Sequence, residues 1–137
     1  MFPLAGLKLD VLSKLKKSTL EYTRVNCGYF LDYWGMPKVQ SFLQPNTVVL
    51  DLNNNNAGIP GEGNTLVAFT HTTDVARYVS KALDLPQWKP DSYAIGDKIT
   101  WNGFVDLAEK TKGKPKRAPR EYIPDRGVTL LTIIPMT

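Results

Sequence analysis

The sequence predicts an α/β domain with a mainly parallel sheet and flanking helices. Short apolar runs, LEYTRV, VVLDL, LVAFT and YAIG, recur along the chain at strand length. Helical periodicities separate the later ones, two with a threonine in capping position. Strands that alternate with helices favour parallel pairing through crossovers.

Each element has its own signal. Leu4 to Lys17 reads as a helix, because Leu4, Leu7, Val11 and Leu15 form one apolar stripe with lysines opposite. Leu20 to Val25 alternates apolar and polar residues, which predicts a strand. The aromatic run NCGYFLDYWGMP is broken by Gly28, Gly35 and Pro37; so much aromatic surface must pack or line a pocket. Val48 to Leu52 predicts a short strand and Asn53 to Asn56 a turn. Leu66 to Thr70 predicts a buried strand. A helix follows, capped by Thr72 or Thr73, with Val75, Val79, Ala82 and Leu83 facing inward and Pro86 ending it. Tyr93 to Gly96 predicts a further strand. Thr100 caps a last helix with Phe104, Leu107, Ala108 and Thr111 on one side, ending at Gly113. KPKRAPREYIPDRG reads as loop, and VTLLTIIPMT as an apolar strand-like tail.

Composition narrows the classes. The chain has 137 residues, 42% hydrophobic and 22% charged, enough for one core. Cys27 is the lone cysteine, so no internal disulfide forms and a thiolate metal site is not expected; no metal site is assigned. A reducing interior, cytoplasmic with a nuclear location as the alternative, is the expected setting. The first twenty residues lack a secretory pattern, since Lys8 and Asp10 interrupt the apolar part, and no run is apolar enough to span a bilayer. Six of the 17 basic residues lie between Lys110 and Arg120; the other eleven face 13 acidic ones, so the rest is mildly acidic. No aromatic residue interleaves the basic run to stack on bases, which argues against nucleic acid.

The stretch AGIPGEGN, Ala57 to Asn64, tests for a phosphate loop and fails. Its G-x-x-G-x-G order is not the dinucleotide fingerprint, a strand follows it where a helix is needed, and Glu62 repels phosphate. A tight turn is expected from Gly58 to Gly63. His71, the single histidine, sits where a strand hands over to a helix, on the usual ligand side of an α/β sheet. A functional role is one reading of it; a capping and hydrogen-bonding role is preferred. Lys8 reads as a surface lysine with a buried stem, or as a cation facing a cofactor ribose. Cys27 reads as a small core residue.

LEYTRVNCGYFLDYWG, NNAGIPGEGN, VAFTHTTDVARYVSKALDLPQW and AIGDKITWNGFVDLAEKTKGK, in this order and spacing, resemble the middle and later part of the NmrA-like proteins. The similarity is nearest to the fungal, isoflavone reductase-like members, which are atypical short-chain dehydrogenase/reductases. The resemblance covers roughly Leu4 to Lys114. It implies a partial Rossmann-like domain lacking its N-terminal half, with 1–113 as the carboxyl half plus the start of the substrate region and 114–137 divergent. It implies NADP, or NAD, as cofactor, although the glycine turn that holds the pyrophosphate is absent from this chain. It implies Lys8 as a catalytic residue at the nicotinamide ribose, and Asn26, Gly28, Tyr29, Phe30 and Tyr33 as pocket lining. His71, Thr73 and Asp74 match the family's strand-to-helix junction, a structural role. The implied activity is NAD(P)H-dependent reduction of a small-molecule substrate, impaired in a chain without the glycine turn. The alternatives are a non-catalytic redox-sensing protein that binds a protein partner, and an inactive partial product.

Overall fold

The computed structural model describes residues 3–113 and 120–123, with side chains across 6–113. In chain order the elements are α1 (Pro3–Lys16), β1 (Arg24–Asn26), β2 (Tyr29–Phe30), α2 (Asp32–Gly35), β3 (Leu50–Asp51), β4 (Asn56–Pro60), β5 (Leu66–Thr70), α3 (Thr72–Ala82), β6 (Asp91–Tyr93), β7 (Asp97–Thr100), α4 (Trp101–Thr111) and β8 (Arg120–Ile123). The architecture is mixed α/β, as expected.

The pairing differs from one mainly parallel sheet. Among the described residues, β1 pairs β6 in parallel, β5 lies between parallel β2 and antiparallel β7, and β4 lies between antiparallel β3 and parallel β8. β1 and β2 are two pieces of one extended run, interrupted at Cys27-Gly28. Gly28 makes that break possible: its φ is 68°, and a Cβ there would stand 2.1 Å from the Ala68 carbonyl oxygen. The Thr70 hydroxyl ties the pieces together, 2.8 Å from the Cys27 carbonyl oxygen and 2.9 Å from that of Ala94.

The core lies between the β3–β4 hairpin, β5 and α4. Leu50, Ala57, Ile59, Phe69, Trp101 and Val105 are buried together, with Tyr29, Trp34 and Phe104 packed against them. Phe69 and Trp101 meet edge-on with ring centroids 5.1 Å apart, and Trp34 meets Phe104 edge-on at 5.0 Å. The aromatic run therefore supplies core as well as pocket wall, as its surface area demanded.

Several sequence expectations are corrected. The Leu20–Val25 strand shrinks to Arg24–Asn26, and Leu20 is 68% exposed. Val48–Leu52 shrinks to β3, because Val49 takes a φ of 56° and turns the chain. The Gly58–Gly63 turn is half strand: Gly58 to Pro60 belong to β4, and the turn begins at Gly61, φ 57°. The Tyr93–Gly96 strand shifts back to β6, and β7 is an element the sequence pattern does not announce. Part of the expected loop after Gly113 is β8, which pairs with β4 from Ala57↔Arg120 to Pro60↔Ile123. Residues 114–119 and the apolar 128–137 tail lie outside the described residues. The helix faces also differ. Leu7 and Val11 of α1, Val79 and Leu83 at α3, and Leu107 of α4 are exposed, while Ala82, Trp101 and Val105 are buried. Periodicity identifies an apolar stripe, but burial depends on what is laid across it.

Candidate functional site

β2 and β5 run in parallel with Phe30 opposite Thr70. Beyond their carboxyl ends come Asp32 and the His71–Thr72 junction, on the side where open α/β sheets bind ligands. Asp32 is fully buried. Its carboxylate accepts from the Ser41 hydroxyl at 2.6 Å, the Thr72 hydroxyl at 2.5 Å and the Thr72 amide at 2.9 Å. Burial pushes its pKa up, but the bonds from Ser41 and Thr72 outweigh burial and hold it at about 2. One carboxylate thus joins α2, the loop at Ser41 and the first turn of α3.

His71 caps α3: its Nδ1 accepts from the Thr73 amide at 3.2 Å. The preferred capping role is therefore seen, but the expected cap, Thr72 or Thr73, is corrected to His71. Thr72 serves Asp32 instead, and Thr73 supplies the capped amide. With Nδ1 accepting, a neutral ring carries its proton on Nε2. Nε2 is buried with no hydrogen-bond partner among the described residues, 3.7 Å from Asp32 Oδ1. That distance is too long for a hydrogen bond.

A crevice of about 1050 Å³ is lined by Ser41, the residue that donates to Asp32, but not by Asp32, His71 or Thr72 themselves. Tyr33, Trp34 and the loop from Met36 to Thr47, entered through a cis Met36–Pro37 bond, form one wall, and Leu50 to Asn54 form the other. The Ser41–Asp32 bond fastens the loop wall, and Trp34 Nε1 donates across to the Leu50 carbonyl at 3.2 Å.

The residues expected at the site are dispersed. Tyr33 lines the crevice. Phe30 touches the Tyr33 ring at 6.5 Å between centroids. Tyr29 packs into the core against Trp101 at 5.0 Å, where burial raises its pKa. Asn26 Nδ2 donates to Arg24 O, Asp91 Oδ1 and Ser92 O, each at 3.3 Å. Gly28 makes the break between β1 and β2, and Lys8 is exposed on α1. Cys27 is free and half-buried. Sequence reading misses Asp32 and the loop wall. The available signal is an acid inside an aromatic run, since a buried carboxylate needs partners.

A dinucleotide needs free amides for its pyrophosphate. At α3 the Thr72 and Thr73 amides already serve Asp32 and His71. At α4 the Asn102 amide goes to Gly63 O and the Gly103 amide to Thr100 Oγ1. A Cβ at Gly63 would stand 2.6 Å from Ile59 and 2.9 Å from Asn102, so that turn is packed against protein. Neither of these two helix starts nor the Gly63 turn therefore offers a site that fits a pyrophosphate. The described residues include no cluster of His, Cys, Asp or Glu able to hold a metal, and no helix long and apolar enough to cross a membrane.

No protein-family profile matches the chain. Individual proteins do. The Oxidoreductase BOA1 of Botryotinia fuckeliana is 37% identical over 112 residues, covering 82% of this chain and 37% of that protein. This chain resembles oxidoreductases. The Oxidoreductase swnN of Arthroderma benhamiae is 29% identical over 72% of this chain and 32% of its own length. The Photosystem II assembly factor Ycf39 of Trieres chinensis is 26% identical over 82% of this chain and 33% of its own. The chain thus spans about a third of the length of the curated relatives it matches. The likeness runs through most of the chain, so it is to a continuous stretch of those proteins and not to a short motif.

Proposed function

We propose that this chain is the carboxyl half of the Rossmann-like cofactor domain, with the start of the substrate region, of an NmrA-like, NAD(P)-dependent reductase working in the cytoplasm. The observation that carries the reading is the 37% identity to the BOA1 oxidoreductase across 82% of the chain. The crevice that follows β2 at Tyr33 and is tied to Asp32 through Ser41 agrees with it, because open α/β sheets take ligands beyond the carboxyl ends of their strands. In this reading 1–113 belongs to the carboxyl half of the cofactor domain and the start of the substrate region. NADP, or NAD, has its phosphates held by residues outside those described, and supplies a hydride. Lys8 faces the nicotinamide ribose, Asn26, Gly28, Tyr29 and Phe30 shape the strand edge beside it, and Tyr33 walls the substrate.

Two measurements test this. NADPH titrated into the chain, followed by tryptophan fluorescence, binds weakly; a low-micromolar dissociation constant refutes the placement of the phosphate site elsewhere. A chimaera joining this chain to the remaining part of the Botryotinia fuckeliana relative oxidises NADPH with a small carbonyl compound from a panel. No oxidation, with the parent relative active on the same panel, refutes the reductase reading.

A further inference from the structure

We propose that the crevice between the Met36–Thr47 loop and Leu50–Asn54 binds uncharged small molecules carrying both hydrogen-bond donors and acceptors in preference to carboxylates and phosphates. The inference rests on the reading of this crevice as the substrate side.

Its volume, about 1050 Å³, suits a small organic ligand. Among the described residues that line it, Asp51 is the one that carries a charge. The Asp51 carboxyl is kept below the usual carboxylate range first by the Asn54 side-chain amide, then, against burial, by the Asn54 and Asn53 backbone amides and the Lys112 charge. It is therefore ionised at neutral pH. Lys112 is not part of the lining; its ammonium donates to Leu52 O and to Asn55 Oδ1. Lys38, within the loop, does not line the crevice either. Among the described residues that line the crevice, an anion entering would meet the Asp51 carboxylate and no cation, while the nearby Lys112 ammonium is engaged by Leu52 O and Asn55 Oδ1.

The uncharged polar groups divide into two sets. Those holding the walls are already engaged: the Ser41 hydroxyl donates to Asp32, and Trp34 Nε1 to Leu50 O. The side-chain amides of Gln40, Gln44, Asn46 and Asn53 have no protein partner among the described residues. Each offers one carbonyl acceptor and an NH₂ donor. The rings of Tyr33 and Trp34 add flat apolar surface. A ligand that matches these walls has an apolar body and neutral carbonyl, hydroxyl or amide groups.

Benzamide, benzoate and benzamidine share one shape and differ in charge, so they isolate this preference. Each is titrated into the intact chain, followed in proton–nitrogen correlation spectra by the side-chain amides of Gln40, Gln44, Asn46 and Asn53. Benzamide is expected to shift those amides, with benzoate at least about fivefold weaker. Asp51→Asn is expected to narrow that gap, with the same spectra reporting whether the variant is folded. Benzoate binding within about twofold of benzamide or tighter, benzamide leaving the four amides unmoved, or a response confined to benzamidine each overturns the proposal. If only the charge preference fails, a reductase with a charged substrate stands. If the preference holds and the chimaera does not oxidise NADPH, the crevice keeps its ligand class and the reductase reading falls.

Discussion

Replacing Asp32 with asparagine removes one charge from a fully buried position while keeping the side-chain volume. The carboxylate has three donors around it, the Ser41 hydroxyl and the hydroxyl and amide of Thr72. Its pKa falls from 3.8 to about 2 on folding. At about 1.4 kcal/mol per pH unit, that drop corresponds to about 2.5 kcal/mol of stability at neutral pH. Because the folded pKa is depressed, this stability is fully present above the unfolded pKa and is lost as pH falls through the folded one. Asparagine can also accept from two of the three donors at most, and its own NH₂ then faces the third. Urea denaturation followed by tryptophan fluorescence measures the effect. Asp32→Asn is expected to cost about 2–3 kcal/mol near neutral pH, and the deficit to shrink below about 1 kcal/mol as the pH approaches 2. Ser41→Ala, which removes one donor, is expected to cost about 1 kcal/mol and to loosen the crevice wall. An Asp32→Asn deficit under about 0.5 kcal/mol at neutral pH, or one unchanged in acid, refutes the account of Asp32 as an ionised bracket.

Other substitutions probe the remaining parts by the same denaturation. Gly28→Ala is expected to cost more than about 3 kcal/mol, because its Cβ would stand 2.1 Å from the Ala68 carbonyl oxygen at a φ of 68°. Phe69→Ala, at 1% exposure in the aromatic cluster, is expected to cost about 3–5 kcal/mol. Thr100→Ala removes the oxygen that accepts from the Gly103 amide at 3.0 Å and is expected to cost about 1 kcal/mol. Lys8→Met is expected to change stability by less than about 0.5 kcal/mol while abolishing NADPH oxidation in the chimaera, which separates a role in the site from a role in the fold.

Elements governed by neighbours in sequence are legible from the residues alone. Thr100 followed by a helical period announces α4, and Gly113, with a φ of 77°, closes it. LVAFT is β5, and the histidine at its end is a cap. The failure of AGIPGEGN as a phosphate loop is also readable, from the order of its glycines and the strand after them. Length and identity of the short strands are not: Leu20 to Val25 has strand propensity, yet only Arg24–Asn26 finds a partner, in β6. A strand exists where another strand supplies its hydrogen bonds, and propensity does not say where that is.

The site shows the same division at larger scale. Local pattern determines the mixed α/β class, the junction at His71 and the aromatic richness around Tyr33. It cannot join Asp32 to Ser41 and to Thr72, forty residues further on. Nor can it divide one aromatic run so that Tyr29 faces the core and Tyr33 the crevice. Those outcomes belong to the tertiary structure, because a buried carboxylate is tolerable only where donors from several elements converge, and convergence is a property of packing.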